Sequence, residues 1–206
     1  MAYIELGLDE SRQPGITGLL AYRRETGRAL EALADALLVA PNTLTRGERE
    51  LIAAHVSGLN DCAFCRDSHS AFAAAQLDGG MPVVEQVRAD PDAAPVSAKM
   101  RALLRIAGAV QQTGRAVTPE LVEAARAEGA TDTEVHDTVL IAAAFCMFNR
   151  YVDGLGTVVP ADPAARSRWR SHARRKFRPA GSSTPRDGRP RIPRSTARAA
   201  HCCRSA

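Results

Sequence analysis

Residues 50–69 read Glu50-Leu-Ile-Ala-Ala-His-Val-Ser-Gly-Leu-Asn-Asp-Cys62-Ala-Phe-Cys65-Arg-Asp-Ser-His69, and the rest of the fold can be inferred outward from this stretch. Cys65 follows Cys62 by three residues, and His69 follows Cys65 by four. On an α-helix this spacing puts the three side chains on one face. A disulfide, a thiolate and a proton carrier could then meet, so the stretch predicts a redox site.

Helix signals lie on both sides of the cysteines. Asn60 and Asp61 are favourable N-cap residues for a helix that carries the cysteines, and an alanine-rich run after His69 leads to Gly79-Gly80, where we expect that helix to end. The cysteines then lie in its first turns. Unpaired N–H groups and the positive end of the helix dipole favour a thiolate there, so we expect a lowered cysteine pKa.

The helix before the motif carries a candidate carboxylate. The segment Thr45-Arg-Gly-Glu48 has the pattern of a capping box and predicts a helix that continues through Glu50. The Ser57-Gly58 pair is predicted to break this helix, which would let Glu50 fold back toward the cysteines.

Apolar periodicity and capping signals predict further helices and no strand. Their predicted ranges are 16–24, 26–38, 82–87, 97–113, 119–128 and, after the capping box Thr131-Asp-Thr-Glu134, 134–153. The last helix is nearly apolar from Val139 to Phe148. We therefore expect it to be wholly buried, either inside the chain or between subunits.

The spacing Glu-x11-Cys-x2-Cys-x3-His resembles that of the AhpD-like alkylhydroperoxidases in the carboxymuconolactone decarboxylase superfamily, and in particular the peroxidase-related branch. The resemblance covers about residues 15–159. It includes Gly-Ile-Thr-Gly-Leu near the start, the block Glu-Arg-Glu-Leu-Ile-Ala, and the distal run Ile-Ala-Ala-Ala-Phe-Cys-Met-Phe-Asn149-Arg150-Tyr-Val-Asp153-Gly-Leu-Gly. It implies an all-α, AhpD-like helical domain that assembles into a homo-oligomer, a trimer or a multiple of it.

The resemblance also implies a catalytic set of Cys65, Cys62, His69 and Glu50. Cys65 would attack a peroxide and become a sulfenic acid, and Cys62 would condense with it to a disulfide. His69 would take the thiol proton, with Glu50 orienting the imidazole or relaying the proton. An external dithiol reductant or adaptor protein would reset the pair, and neither a cofactor nor a metal is expected.

Between the cysteines this chain departs from the pattern. Relatives often carry a second histidine there, where this chain has Ala63 and Phe64. A member of the proton relay is therefore missing, and Phe64 would make the site drier and a thiolate more costly. His55, five residues after Glu50, is a further candidate from the preceding helix.

Other interpretations remain open for the same residues. The cysteine pair could be purely structural, or it could bind zinc with His69 and a fourth ligand from His55, Glu50 or Cys146. One functional alternative is a decarboxylase or lactone-processing lyase on the same fold, although such relatives generally lack the cysteine pair. Another is a non-enzymatic redox-sensing scaffold.

The remaining polar and thiol side chains have structural roles as their simplest interpretation. We expect helix-end capping or an ion pair for Asn149, Arg150 and Asp153, and a small buried hydrophobe for Cys146. We expect surface or edge positions for His55 and His136.

Charge divides the chain into two parts. Residues 1–159 carry 14 basic and 21 acidic side chains, whereas residues 160–206 carry 13 basic and 2 acidic ones. The second part also loses its aliphatic periodicity and is rich in Arg, Pro, Ser and Gly, so we expect a disordered tail after a helical domain spanning residues 1–159. A plain solvated tail is preferred over one that contacts nucleic acid or anionic lipid.

Composition and sequence pattern indicate the cellular compartment. No apolar run approaches the roughly 18 residues that a bilayer-spanning helix needs, and residues 1–20 lack a signal-peptide pattern. The 5 cysteines are an odd number without the spacing of a secreted disulfide scaffold. These features predict a cytoplasmic protein without a membrane partner. A peroxide substrate is what the family resemblance implies.

Overall fold

A computed structural model describes residues 1–160 of the chain, which form eight α-helices and one short 3-10 turn without a strand. The helices are α1 (Ile16–Tyr22), α2 (Arg24–Leu38), α3 (Arg46–Leu59), α4 (Ala63–Ala74), α5 (Gly80–Ala89), α6 (Ala98–Gln112), α7 (Pro119–Ala127) and α8 (Asp132–Gly154), and the 3-10 turn lies at Gly114–Ala116. The predicted all-α class is therefore confirmed.

Helix α3 is the centre of the fold. It packs most extensively against α4 and also against α6 and α8. Leu51, Ile52 and Val56 on α3 are completely or almost completely buried, and they join one large apolar core with residues from the other long helices. Burial of this kind is the main source of stability in a helical domain.

Helices α3 and α4 form an antiparallel pair. Glu50 near the start of α3 contacts His69 in the second half of α4, and Gly58 near the end of α3 lies beside the side chain of Arg66 in the first turns of α4. The connection between the two helices is only three residues long. This pairing is what brings the predicted carboxylate to the predicted histidine.

Both predicted capping boxes are confirmed. The Thr45 hydroxyl accepts from the Glu48 backbone N–H at 3.2 Å while the Glu48 carboxylate accepts from the Thr45 N–H at 2.7 Å. Thr131 and Glu134 make the same reciprocal pair at the start of α8. These boxes fix where the two central helices begin, and so fix which of their residues face the interior.

Two boundaries around the cysteines differ from prediction. Helix α3 does not break at Ser57-Gly58 but continues to Leu59, so Glu50 reaches the cysteines through helix pairing and not through a bend. The N-cap of α4 is Cys62 itself. Asn60 instead caps the end of α3, and Asp61 adopts a left-handed conformation (φ 57°) that reverses the chain between the helices.

Helix α4 also ends earlier than predicted, at Ala74, and Gly79-Gly80 begins α5 instead of ending α4. Leu77, in the connection, packs against Gly47 on α3, where an added Cβ would lie 3.0 Å from the Leu77 side chain. This contact turns the chain back toward α3 before a longer helix can form.

Helix α8 is not wholly buried within one chain. Phe145 and Phe148 face the core, but Leu140 and Met147 are 39% and 43% exposed. Burial of this outer side between subunits stays a prediction.

Among residues 1–160, every helix is too short or too polar to cross a bilayer. The predictions for the basic tail concern residues 161–206 and lie outside the described part of the chain.

Candidate active site

A buried carboxylate orients His69. Glu50 is only 2% exposed, and its Oε2 lies 2.6 Å from Nδ1 of His69. Because a carboxylate can only accept, Nδ1 carries the hydrogen of this bond, and Nε2 is the ring nitrogen left to exchange a proton. The pair therefore presents one defined proton acceptor.

Two phenylalanine rings hold the imidazole from the sides. The ring of Phe145 on α8 meets that of His69 edge-on at a centroid distance of 4.5 Å, and Phe72 does so at 5.5 Å. Such perpendicular contacts are favourable geometries for aromatic rings. The histidine is thus fixed both by its hydrogen bond and by packing.

Both cysteines are reduced, buried and hydrogen-bonded to each other. Cys62 is 0% exposed and Cys65 is 2% exposed. The Cys65 thiol donates to the Cys62 sulfur, which lowers the pKa of Cys62. The same hydrogen bond, together with burial, raises the pKa of Cys65. The expected lowering of the cysteine pKa is therefore found for Cys62, where the Cys65 thiol is its largest cause, and is wrong for Cys65.

Helix α8 adds an amide that the sequence-based assignment left out of the chemistry. Asn149 is 1% exposed, and its amide opposes the rise in the pKa of Cys65 and so favours the thiolate. Its orientation is fixed on both sides, because Asn60 donates to its Oδ1 at 2.8 Å and its Nδ2 donates to Ser57 Oγ at 3.1 Å. Asn149 is therefore neither a helix cap nor part of an ion pair.

Asp153, one helical turn after Asn149, hydrogen-bonds to Cys62. Partial burial raises the pKa of this carboxyl and the charge of Asp61 adds to that effect, whereas the bond to Cys62 opposes it. Val152, between the two polar residues, packs in one small cluster with both cysteines and Phe64. The signal in the sequence was the four-residue spacing of two polar side chains just after the apolar run from Val139 to Phe148.

A cavity of about 510 Å³ opens onto Cys65 and His69. Helices α1 and α2 form one wall and α4 and α8 form the other; the lining is mainly apolar, with Ile16, Leu20, Leu30, Leu38, Phe64, Phe72, Phe145 and Phe148. Its size falls within the range of small-molecule sites. Cys65 thus faces a space that could hold a substrate, with Cys62 buried behind it.

Phe64, at the position where relatives often carry histidine, closes the site toward α1. It is buried against Gly15, where an added Cβ would lie 2.3 Å from the phenylalanine ring. Gly15 has φ 59°, a conformation that favours glycine. The chain therefore fills this position with apolar packing, as the sequence suggested, and the thiols lie in a dry environment.

The remaining candidates lie elsewhere. His55 is buried against Gly108 on α6, so its predicted surface or edge position is wrong, and burial lowers its pKa to about 4. His136 is exposed, as predicted. Cys146 is only partly buried and accepts from Asn60 Nδ2 at 3.6 Å, and Arg150 donates to its backbone carbonyl.

Within residues 1–160, no group of three or more His, Cys, Asp or Glu side chains is arranged to hold a metal ion. His69 instead directs Nδ1 to Glu50, and the thiol of Cys65 donates a hydrogen bond to Cys62. The zinc interpretation has no support in this part of the chain.

Comparison with known proteins agrees with this architecture. A sequence profile of the carboxymuconolactone decarboxylase family matches residues 24–78, a range that includes all four predicted catalytic residues. The fold resembles the crystal structure of an alkylhydroperoxidase AhpD core, an uncharacterized peroxidase-related protein from Ralstonia eutropha JMP134. The TM-score is 0.67 at 29% identity, over 77% of this chain and 90% of that one. Over residues 24–78 the chain is thus similar to the carboxymuconolactone decarboxylase family, and its fold is similar to that of the AhpD core.

Two further solved structures have a similar fold. An uncharacterized peroxidase-related protein from Silicibacter sp. TM1040 matches with a TM-score of 0.66 at 26% identity, over 72% of this chain and 77% of that one. A protein of unknown function from Agrobacterium tumefaciens shares the fold, with a TM-score of 0.60 at 23% identity over 70% and 97% of the two chains. A search of curated protein sequences gives no significant match.

Proposed function

We propose that the protein is a thiol-dependent peroxidase that reduces organic or hydrogen peroxides through Cys65 and Cys62. One observation carries the proposal: Cys65 and the Glu50-oriented His69 line the same cavity, and the second thiol lies directly behind the first. A peroxide in this cavity would meet a nucleophile and a proton carrier together.

The proposed first step oxidises Cys65. His69 Nε2 takes the Cys65 proton, the thiolate attacks the nearer peroxide oxygen, and the O–O bond breaks. The proton then passes to the departing alkoxide, so the products are an alcohol and the Cys65 sulfenic acid. Asn149 stabilises the sulfur while it is charged, because its amide is held toward Cys65 by Ser57 and Asn60.

The second step closes the disulfide. The Cys62 sulfur attacks the Cys65 sulfenic acid and water is released, which protects Cys65 from irreversible oxidation. An external dithiol or an adaptor protein then returns both residues to thiols by exchange. We propose that the enzyme acts as a homo-oligomer, in line with the partly exposed apolar side of α8.

Turnover tests the proposal. With a dithiol reductant in excess, wild type should consume cumene hydroperoxide catalytically, whereas Cys65→Ser should be inactive. Cys146→Ser is the matched control, because it removes a partly buried thiol that is not one of the reacting pair and should leave the rate unchanged. Equal peroxide consumption by wild type and Cys65→Ser would contradict the proposed function.

A further inference from the structure

The cavity beside Cys65 carries acidic side chains on its outer side. Glu31 and Asp35 on α2 both line it, and their four-residue spacing puts them on one face of that helix. Both residues are exposed whereas Cys65 is only 2% exposed, so the two carboxylates lie where the cavity meets solvent. We call this pair the acidic rim. Among the described residues that line the cavity there is no Lys or Arg.

The interior of the cavity suits a carbon skeleton. Leu20 and Leu30 line it on the side of α1 and α2, and Phe145 and Phe148 line it from α8. Hydrogen peroxide would fill only a small part of the volume of about 510 Å³. An organic hydroperoxide that reaches Cys65 would instead place its apolar body against these side chains, which favours its binding.

The basic side chains near the cavity do not face its contents. Arg46 and Arg49 on α3 are close enough to act on the charge of the buried Glu50, and Arg46 also acts on Asp35. Neither arginine lines the cavity, and Arg49 donates to two backbone carbonyls at the end of α2. An anionic group inside the cavity would therefore have His69 as the one basic side chain among the described lining residues.

We propose that Glu31 and Asp35 select peroxides by charge, so that the site accepts uncharged organic hydroperoxides and rejects those that carry a carboxylate. This inference rests on the proposed function. A carboxylate on the substrate would be repelled at the acidic rim, and it would lose water in an apolar cavity that offers no Lys or Arg to pair with it. The hydroperoxide group itself is neutral near pH 7, so an uncharged substrate meets neither penalty.

The two rim residues set specificity and take no part in the chemistry. The reacting atoms are on Cys65 and the peroxide, and the proton carrier is His69, which is oriented by Glu50 on α3 and not by α2. Neutralising the acidic rim should therefore change the rate for a charged peroxide and leave the rate for an uncharged peroxide as it is.

A matched pair of substrates tests this selection: cumene hydroperoxide with a carboxylate in the para position of its ring, and the methyl ester of the same compound. The full chain is compared as wild type, Glu31→Gln/Asp35→Asn and Glu120→Gln/Glu128→Gln, with an uncharged dithiol in excess. The last variant is the control, because it removes the same charge from two exposed side chains of the α7 region that do not line the cavity. Far-UV circular dichroism establishes that each variant is folded.

The value compared is kcat/KM for the peroxide, which reports the oxidation of Cys65 and not the later reduction. Wild type should prefer the ester to the carboxylate by about tenfold at low ionic strength, and about 0.5 M NaCl should reduce this preference because salt screens exposed charges. Glu31→Gln/Asp35→Asn should lower the preference to about threefold by raising kcat/KM for the carboxylate, with the ester unchanged within about twofold. The control should behave as wild type.

Three results would overturn charge selection by the acidic rim. One is equal kcat/KM for the two substrates in wild type, and another is an undiminished preference in Glu31→Gln/Asp35→Asn. The third is the same loss of preference in the α7 control, which would indicate an effect of net charge alone. Failure of wild type to consume either substrate, with Cys65 still reduced, is a different outcome: it would contradict the proposed function itself.

Discussion

The carboxylate of Glu50 lies 2.6 Å from Nδ1 of His69, across the antiparallel pair of α3 and α4. His69 lines the cavity, and the buried carboxylate of Glu50 determines that its Nδ1 carries a hydrogen. It leaves Nε2 as the ring nitrogen of His69 that can exchange a proton, and it makes proton transfer depend on the packing of two central helices.

Replacing Glu50 by glutamine tests this contact. The amide keeps the size of the side chain but removes the charge that favours the Nδ1–H tautomer and a protonated imidazole. We expect the rate of Cys65 oxidation to fall about 10- to 100-fold, measured as peroxide-dependent sulfenic acid formation. Glu120→Gln, on the exposed first turn of α7, is the control and should have no effect. An unchanged rate in Glu50→Gln would remove Glu50 from the mechanism.

Gly15 should be needed for Phe64 to pack against α1 and close that side of the site. A Cβ at this position would lie 2.3 Å from the Phe64 ring, so Gly15→Ala must displace that ring or α1. Gly7 is a matched control because its φ of 64° is similar but a Cβ there meets nothing within 4 Å. We expect Gly15→Ala to lower the free energy of unfolding by about 2 kcal/mol more than Gly7→Ala in urea titrations. Equal losses would mean that Phe64 adapts freely.

The local signals in the sequence were sufficient for much of the fold. The Thr45 and Thr131 capping boxes fixed the starts of the two central helices, and the position of α7 followed from Thr118-Pro119. The start of α4 could not be predicted from Asn60 and Asp61, because Asp61 is used to reverse the chain and Cys62 becomes the N-cap. That choice depends on how α3 and α4 pair, which is a tertiary effect.

The site could also be predicted only in part, because tertiary packing decides which side chains meet. The spacing in residues 50–69 identified Glu50 and His69, which the structure joins directly. Asn149 and Asp153 lie about 90 residues further along the chain and gave only helix-surface signals, so their effects on the pKa of the cysteines depend on the packing of α8 against α3. His55 likewise looked like an edge residue until α6 covered it.

Asn149 should matter for stability as well as for chemistry. Asn149→Ala would leave the buried Ser57 hydroxyl without its donor and would remove the shorter of the two hydrogen bonds that the Asn60 amide donates. Unsatisfied buried groups cost about 1–3 kcal/mol each, so we expect the free energy of unfolding in urea to fall by about 2–3 kcal/mol. Gln111→Ala, which removes a hydrogen bond at the exposed side of Asn60, should cost less than about 0.5 kcal/mol. Equal costs would contradict the buried network.

His55 should make the fold sensitive to acid. Burial lowers its pKa from 6.5 to about 4, so the unfolded chain binds a proton at a higher pH than the folded chain does. The stability that the neutral His55 provides is present above about pH 6.5 and is lost as the pH falls toward 4. Between pH 7 and pH 5 this loss is about 2 kcal/mol.

Urea titrations of wild type and His55→Gln at pH 7 and pH 5 measure this effect. The glutamine variant should lose about 2 kcal/mol less than wild type over that interval, whatever its stability at pH 7. An identical loss in both proteins would show that other groups dominate the acid response.

The most direct test of the central claim is mass spectrometry of the reduced protein after a brief pulse of cumene hydroperoxide or hydrogen peroxide, with a sulfenic acid trap. Wild type should form a Cys62–Cys65 disulfide rapidly, and Cys62→Ser should accumulate trapped sulfenic acid on Cys65, the thiol that lines the cavity. Sulfenic acid on Cys62 in Cys65→Ser, with none on Cys65 in Cys62→Ser, would reverse the assigned roles. If both thiols stay reduced at peroxide concentrations that oxidise ordinary peroxidatic cysteines, the peroxidase account is wrong.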